Sequence, residues 1–378
     1  MNFELTEEER VFRDELRRFF AANPPPRGEE SAEYRRLLAD HGWQTMHWPM
    51  EYGGQGASHF KQVVLKEEAF HHEVALGAAG PNLIGPTLIV HGSEEQRARH
   101  LPPIAAAEVV WCQGFSEPGA GSDLASLSTR AVRDGDEYVV NGQKIWTSNA
   151  HLAQWIFMLA RTDPDAPKHR GISYLMVDMS SPGVTVRPLL QLTGHHGFNE
   201  VFFDDVRVPV ANRVGEEDRG WYVATTTLDF ERSGIERVLT ADRDLGRLED
   251  WWRESPSTFT SRPGAPSKRA RVAELRVAVE VSRLLSYRVA WMQSRALVPN
   301  HEASMTKMYA SDVGQWVAQL VVNAAGLAGN LRPEEPRAPQ GGAPAMRYMD
   351  SVRLTIGQGT GEIQRNVIAT RGLGLPRG

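Results

Sequence analysis

Along the first 110 residues the apolar positions repeat with helical spacing. Thr6 and Glu9 match a capping box, and Val11, Phe12, Leu16, Phe19 and Phe20 behind them fall on one helical face. Pro24 to Pro26 stop that helix, because proline lacks the amide hydrogen and clashes with the preceding turn. Further helical patterns cover residues 31–39, 61–75 and 94–107, with a turn region at 48–56. From Trp111 the period shortens. WIFMLART, GISYLMVDM, VTVRPL and NEVFFDDVRV are short apolar or alternating runs broken by Gly, Pro and Asp, the pattern of strands. In EYVVNGQKIWTS, Asn141-Gly142 between apolar runs predicts a hairpin turn. After Gly220 the helical period returns and persists to the end, with breaks at 256–266 and at 331–344. The expectation is an α+β fold: an all-helical domain over 1–110, a β domain over 111–218 and a helical bundle over 219–378.

Composition bounds the class. The chain has 378 residues, more than one core usually supports, which agrees with several domains. Hydrophobic content of 41% and charged content of 24% are those of an ordinary globular protein. A net charge of −5 argues against nucleic acid or an anionic membrane as partner. The single cysteine, Cys112, permits no intrachain disulfide and reads as a buried packing residue in a reducing compartment. The N-terminus carries no basic-then-apolar signal and no run of eighteen apolar residues occurs, so a cytoplasmic location is expected.

Two runs carry candidate chemistry. WCQGFSEPGAGSD, from Trp111 to Asp123, is a glycine-broken turn with two hydroxyls, Ser116 and Ser122, and two carboxylates, Glu117 and Asp123. KIWTSNA, from Lys144 to Ala150, follows about twenty residues later. Glycines let a backbone approach a ligand, and exposed N–H groups with neighbouring hydroxyls bind anionic oxygens. A large aromatic offers a flat face to a planar ring. A phosphate cradle beside a flat wall suits a dinucleotide such as a flavin.

Both runs resemble the flavin-binding segments of the acyl-CoA dehydrogenase family. The resemblance extends through GWQTMHWPMEYGGQG, FNEVFFDDVRVP and GQGTGEIQRNVIATRGLGLP, in the family's order and over nearly the whole chain. It implies a helical domain, a middle β barrel and a C-terminal bundle, with FAD between the β domain and the C-terminal helices and in contact with a neighbouring subunit. It also implies oxidation of an acyl-CoA thioester to the 2,3-enoyl-CoA, with electron-transfer flavoprotein as acceptor. By this resemblance Ser116 stands where a hydroxyl meets the flavin ring, with Gln113 and Phe115 in the adjacent backbone. Gly121 and Ser122 match the part that meets the phosphates, Ser122 also lying toward the substrate. Trp146 matches the aromatic packed on the isoalloxazine, Ser148 the hydroxyl that reaches N5, and Thr360 a residue of the C-terminal cofactor segment. Thr147 stands where many members have an apolar residue.

The base departs from the commonest pattern. Most members carry it in a Tyr-Glu-Gly-Thr segment, and here the aligned run is Ile356-Gly357-Gln358-Gly359-Thr360, which places an amide without useful basicity at that position. A second branch, resembling isovaleryl- and long-chain acyl-CoA dehydrogenases, places its Glu on an earlier helix directly before an Arg. LDFER matches it, which makes Glu231 the expected base and Arg232 a residue that holds CoA or orients the carboxylate. Glu362, one helical turn past Gln358 if that segment is helical, is a poorer candidate, and Asp229 a weaker one. Asp204 and Asp205 read as a strand-end turn. His195 and His196 read as loop residues near a substrate entrance rather than metal ligands. The family's Arg-x-Phe-Gly run is missing between Arg232 and Arg271, and the glycine motif that receives a partner's adenosine is reduced to AAGLAG at 324–329. That asymmetry resembles the actinobacterial acyl-CoA dehydrogenases of steroid side-chain breakdown, which implies a homo- or hetero-oligomer, a dimer or an α2β2 tetramer. Two alternatives remain: an oxygen-using flavoprotein on the same fold, and a non-catalytic partner subunit.

Overall fold

The capping box forms as predicted: the Thr6 amide donates to Glu9 Oε2 at 2.9 Å and the Glu9 amide to Thr6 Oγ1 at 3.3 Å. It opens helix α1 (Glu7–Ala22). Phe12, Leu16 and Phe20 are buried, whereas Val11 is exposed, because a 100° step carries it off their i, i+4, i+8 stripe. The computed structural model describes residues 3–26, 31–77, 79–231, 234–255, 265–295 and 297–376. The chain divides into two units: residues 1–22, 59–73 and 232–378, and residues 23–58 and 74–231.

The first unit is helical. Beside α1 it holds α3 (His59–His71), and Arg17 of α1 reaches Glu68 at 3.0 Å. Its C-terminal part contains α7 (Ile235–Glu254), α8 (Ala265–Ser294), α9 (His301–Ala325), α10 (Ala343–Ser351) and α11 (Gly361–Val367). Leu239, Leu245, Leu275, Val279, Val313 and Val317 form its apolar centre, with Val63 of α3. The break expected at 256–266 falls mostly outside the described residues, and α8 resumes at Ala265. The 331–344 break is present as turns and a short 3-10 segment (Pro339–Gly342).

The second unit carries α2 (Ala32–Asp40), α4 (Gly85–His91), α5 (Glu94–Ala105), the sheet and α6 (Gly220–Glu231). The strands are β1 (Trp111–Gly114), β2 (Arg130–Asp134), β3 (Glu137–Ser148), β4 (Trp155–Arg161), β5 (Ile172–Asp178), β6 (Val184–Leu189), β7 (Phe198–Pro209) and β8 (Arg213–Val214). They form one sheet in the order β6-β7-β3-β2-β4-β5-β8, with β1 parallel to β4. Helices in one stretch and a strand-rich stretch between them make the α+β class. The helical segment 80–91 escaped the sequence pattern. Its prolines sit at first-turn positions, where no amide donor is needed, and Gly85 passes so close to Trp48 that a Cβ would lie 2.0 Å from the indole.

Two expectations in the β region are corrected. Asn141-Gly142 is not a hairpin turn: it lies inside the continuous β3, at a register shift against β7. Gly142 is required by close approach, since a Cβ would meet Thr129 Cα at 2.7 Å, and the Asn141 amide donates to Asp205 at 2.9 Å. The hairpin turn falls instead at Gly135-Asp136, between β2 and β3. Asp204 and Asp205 are likewise inside β7, opposite that bulge, rather than in a strand-end turn.

Candidate active site

β1 ends in the loop that carries the hydroxyls and glycines. Phe115 is buried edge-on against Phe157 and Tyr174, so only its backbone is available to a ligand. Glu117 and Ala120 exchange backbone hydrogen bonds at 3.0 Å, closing a tight turn. Beyond it Gly121 and Ser122 are exposed, and a Cβ at Gly119 or Gly121 would meet nothing within 4 Å, so the cradle is open on that side. Asp123 pairs with Lys168. Cys112 is buried, as expected, and burial pushes its thiol far above the ordinary range.

The loop is tied to β3 from beneath. Ser116 O accepts from the Ile145 amide at 2.9 Å. Lys144, fully buried, donates to Glu117 Oε1 at 2.7 Å and to Phe115 O at 3.3 Å. The Glu117 carboxylate also accepts from the Ser128 amide at 2.7 Å, the Ser128 hydroxyl at 2.9 Å and the Thr129 amide at 2.9 Å. Burial alone would raise the Glu117 carboxyl. The Lys144 ammonium and these donors outweigh it and hold the group down at about 2. Burial draws the Lys144 ammonium down to about 8, with Glu117 opposing, so both groups are charged at neutral pH.

A second register irregularity, between Lys144 and Thr147, turns the end of β3 over. Trp146 adopts φ +60°, is 57% exposed and meets Phe198 edge-on at 6.0 Å. Ser148 is exposed as well, while Thr147 is buried. Simple alternation from the inward Lys144 would have pointed Trp146 into the core. The buried Asn199 amide donates to Thr147 O at 3.1 Å, and Asn199 Oδ1 lies 2.8 Å from His196 Nε2. His196 stacks on His151 at 4.2 Å, and His195 contacts Gln191 at 3.1 Å. Among the described residues no group of His, Cys, Asp and Glu could hold a metal ion.

The structure therefore brings Ser116 and the Trp146–Ser148 end of β3 onto adjoining segments of one unit. Gln113 Nε2, on β1, and Thr147 Oγ1 are buried without a hydrogen-bond partner. Buried polar atoms are rarely left so.

The C-terminal segment belongs to the other unit. Gln358 and Gly359 both take positive φ, +59° and +81°. Thr360 is the N-cap of α11, its hydroxyl accepting from the Ile363 amide at 3.3 Å. Lys307, buried on α9, donates to Gly359 O at 2.6 Å. Because the helix starts only at Gly361, Glu362 does not lie one helical turn past Gln358; it is an exposed first-turn residue. Its own backbone amide and the Thr360 hydroxyl hold its carboxyl below the usual range, which suits a helix-start acid rather than a base. Glu231 is the last residue of α6. Its side chain and that of Asp229 lie outside the described residues, as does the whole of Arg232. At the C-terminal end of α9, Gln319, Asn323, Gly326, Leu327 and Tyr348 line a groove of about 580 Å³, with Leu327 92% exposed.

Residues 6–108, 112–206 and 218–373 match, respectively, the N-terminal, middle and C-terminal domains described for acyl-CoA dehydrogenases. The chain belongs to the acyl-CoA dehydrogenase family. It is similar to acyl-CoA dehydrogenase IpdE1 of Mycobacterium tuberculosis, with 39% identity over 93% of this chain and 91% of that one. Among solved structures it is similar to a chain of the Tcur3481-Tcur3483 steroid ACAD, with TM-score 0.90, 35% identity and complete coverage of both chains. A chain of the ChsE4-ChsE5 complex from Mycobacterium tuberculosis gives TM-score 0.89 at 34% identity, again with complete coverage of both. As an acyl-CoA dehydrogenase the protein is a flavoprotein oxidoreductase that uses FAD. The open glycine cradle and the exposed Trp146 fit that cofactor. No helix among the described residues is long and apolar enough to cross a membrane.

The sequence reading missed Lys144. Its signal was present, since Lys144 falls on the same inward phase of β3 as the buried Tyr138 and Val140. A charged residue in a strand is usually read as facing water.

Proposed function

We propose that the chain dehydrogenates a bulky or steroid side-chain acyl-CoA, with Glu231 as the base and the β-domain segments as the flavin-ring site. The observation that carries the site assignment is Trp146: an aromatic with a left-handed backbone, exposed at the end of a strand that is otherwise well packed. Exposure of so large a ring, on a strand bound to the Ser116 loop, fits a partner that is a planar cofactor. In this reading Gln113, Phe115, Ser116, Gly121, Ser122, Trp146, Ser148 and Thr360 hold FAD, the backbone of Phe115 contributing in place of its buried ring.

Held by these residues, FAD would supply the acceptor for the hydride of the β carbon. Everything else falls to the chain. In this reading Glu231 takes the α proton. Arg232 holds the CoA moiety or orients the Glu231 carboxylate, with Ser122 toward the substrate. Hydrogen bonds to the thioester oxygen strengthen as enolate character develops. Position accounts for much of the rate, since a bound acyl chain is already oriented.

The steroid substrate rests on the relatives, one of which is a steroid ACAD by name. A second reading, in which each flavin site is completed by a different chain, is favoured by Gln358, the missing Arg-x-Phe-Gly run and the two-protein composition of the ChsE4-ChsE5 complex. Val277, Val281 and Leu284, exposed on one face of α8 at helical spacing, also fit an oligomer. Electron-transfer flavoprotein is the expected acceptor. The test is steady-state turnover of straight-chain and steroid side-chain CoA thioesters by this chain alone and co-produced with a second acyl-CoA dehydrogenase-like chain. Turnover of the steroid thioester by either preparation supports the reading. Oxidation of straight-chain thioesters alone would refute the substrate class, and hydrogen peroxide as the stoichiometric product would make the protein an oxidase.

A further inference from the structure

The Lys144–Glu117 pair is costly. A wholly buried ammonium and a nearly buried carboxylate have left water, and such pairs add little stability over a well-packed apolar pair. Its placement is specific. Glu117 follows Ser116 directly, and Lys144 lies two residues before Trp146. The ammonium reaches both the Glu117 carboxylate and the Phe115 carbonyl, so one charge grips the loop on either side of Ser116. The loop is gripped a second time by the Ile145 amide on Ser116 O. The carboxylate in turn is fixed to the chain leading into β2 through Ser128 and Thr129. Four donors on one carboxylate leave it no freedom to rotate, and the lysine stem passes over Gly114, where a Cβ would come within 3.3 Å of it.

We propose that Lys144 and Glu117 are positioning residues that set the register between Ser116 and the Trp146–Ser148 end of β3, and so the spacing of the two flavin-facing segments. The pair is buried and offers almost no surface to a ligand. It acts by fixing two backbones whose bulge and left-handed residue would otherwise leave them adjustable. The proposal rests on the flavin-site reading for its functional consequence, and on the geometry alone for its structural one.

The test compares Glu117→Gln, Lys144→Met and the double variant Glu117→Leu/Lys144→Met, which replaces the charges with an apolar pair and leaves no buried charge unpaired. The first readout needs no flavin: amide hydrogen exchange over residues 113–117 and 144–148. The others are FAD retention, the visible absorption of bound flavin, and kcat and KM. The double variant should fold, with exchange over both segments faster by about tenfold and FAD held about tenfold more weakly. Its kcat should fall by about 10²-fold while KM stays within about threefold. Lys144→Arg, which keeps the charge but replaces the compact ammonium with a bulkier planar guanidinium, should recover FAD binding only in part. A double variant with wild-type exchange, flavin spectrum and kcat overturns the proposal, because apolar packing then suffices. An insoluble double variant also overturns it, by making the pair a requirement of folding. If the wild-type chain binds no flavin either alone or co-produced with a second family chain, the site reading fails, while the exchange data still decide for or against the positioning role.

Discussion

Two segments of the protein are held by buried lysines, and they differ in what they present. In the β domain Lys144 grips the Phe115 carbonyl and Glu117, and the segment above it displays Trp146 and Ser148. In the C-terminal unit Lys307 grips the Gly359 carbonyl, and the segment beside it displays Gln358 on a left-handed turn capped by Thr360. Both scaffolds are intact. Only the first carries side chains fit for the expected chemistry, because an amide at position 358 can neither take a proton nor hold a negative charge. The difference teaches that scaffold and chemistry are separable here: the turn at Gln358 is fully built without a carboxylate, which is consistent with the base proposed at Glu231.

The sharpest way to break this comparison is to move a carboxylate. Glu231→Gln is expected to lower kcat by about 10³-fold or more while FAD content stays at wild-type level, measured by stopped-flow reduction. Gln358→Glu restores the commoner carboxylate to the preserved turn, and kcat is expected to stay at the wild-type value. If only Gln358→Glu variants turn over, the native chain is a non-catalytic subunit.

The next effect, of a few kcal/mol, belongs to the root of β1. His100 is buried against Trp111 and Trp155, with ring centroids at 5.4 and 4.9 Å. Burial first, and Arg99 second, draw its imidazolium down to about 4 from the ordinary 6.5. The folded state thus binds fewer protons than the unfolded one between these values. The contribution of His100 is fully present above pH 6.5 and is lost as pH falls to 4, a loss of about 3 kcal/mol. Glu117, also depressed, adds a loss from pH 4.5 down to about 2. Denaturant melts of wild type and His100→Phe from pH 7 to 4 should show the substitution flattening the acid limb.

The smallest effect concerns Trp146. Because its ring is exposed, Trp146→Ala should leave the stability of the apoprotein within about 0.5 kcal/mol. It should weaken FAD binding by about 1 kcal/mol, read by equilibrium flavin fluorescence. A large loss of apoprotein stability instead would make Trp146 a packing residue.

Much of this was legible in the sequence. Period alone separated helices from strands; β4, β5 and β6 fall within the expected runs, and β7 exceeds its run by one residue at each end. The capping box at Thr6 carried its own geometry. What failed was local chemistry serving two uses: Asn141-Gly142 signals a hairpin, yet here the glycine is spent on close approach to Thr129 within a bulge. The same kind of irregularity hid the outward turn of Trp146, since alternation cannot foresee a left-handed residue in a strand. Lys144 was hidden because its partner, Glu117, lies twenty-seven residues away in sequence. The preserved C-terminal turn was readable only as a departure at Gln358, and its lysine clamp from α9 is a tertiary contact.

One measurement bears most directly on the central claim, that the β-domain segments bind FAD and Glu231 is the base. Visible spectra of the wild-type protein and of Glu231→Gln would be recorded before and after anaerobic addition of acyl-CoA thioesters, each chain purified alone and with a second family chain. The account predicts yellow proteins in both cases, with bleaching of the visible flavin absorption only in the wild type. A Glu231→Gln protein that bleaches as fast as the wild type, or a wild type that stays colourless in every preparation, would contradict it.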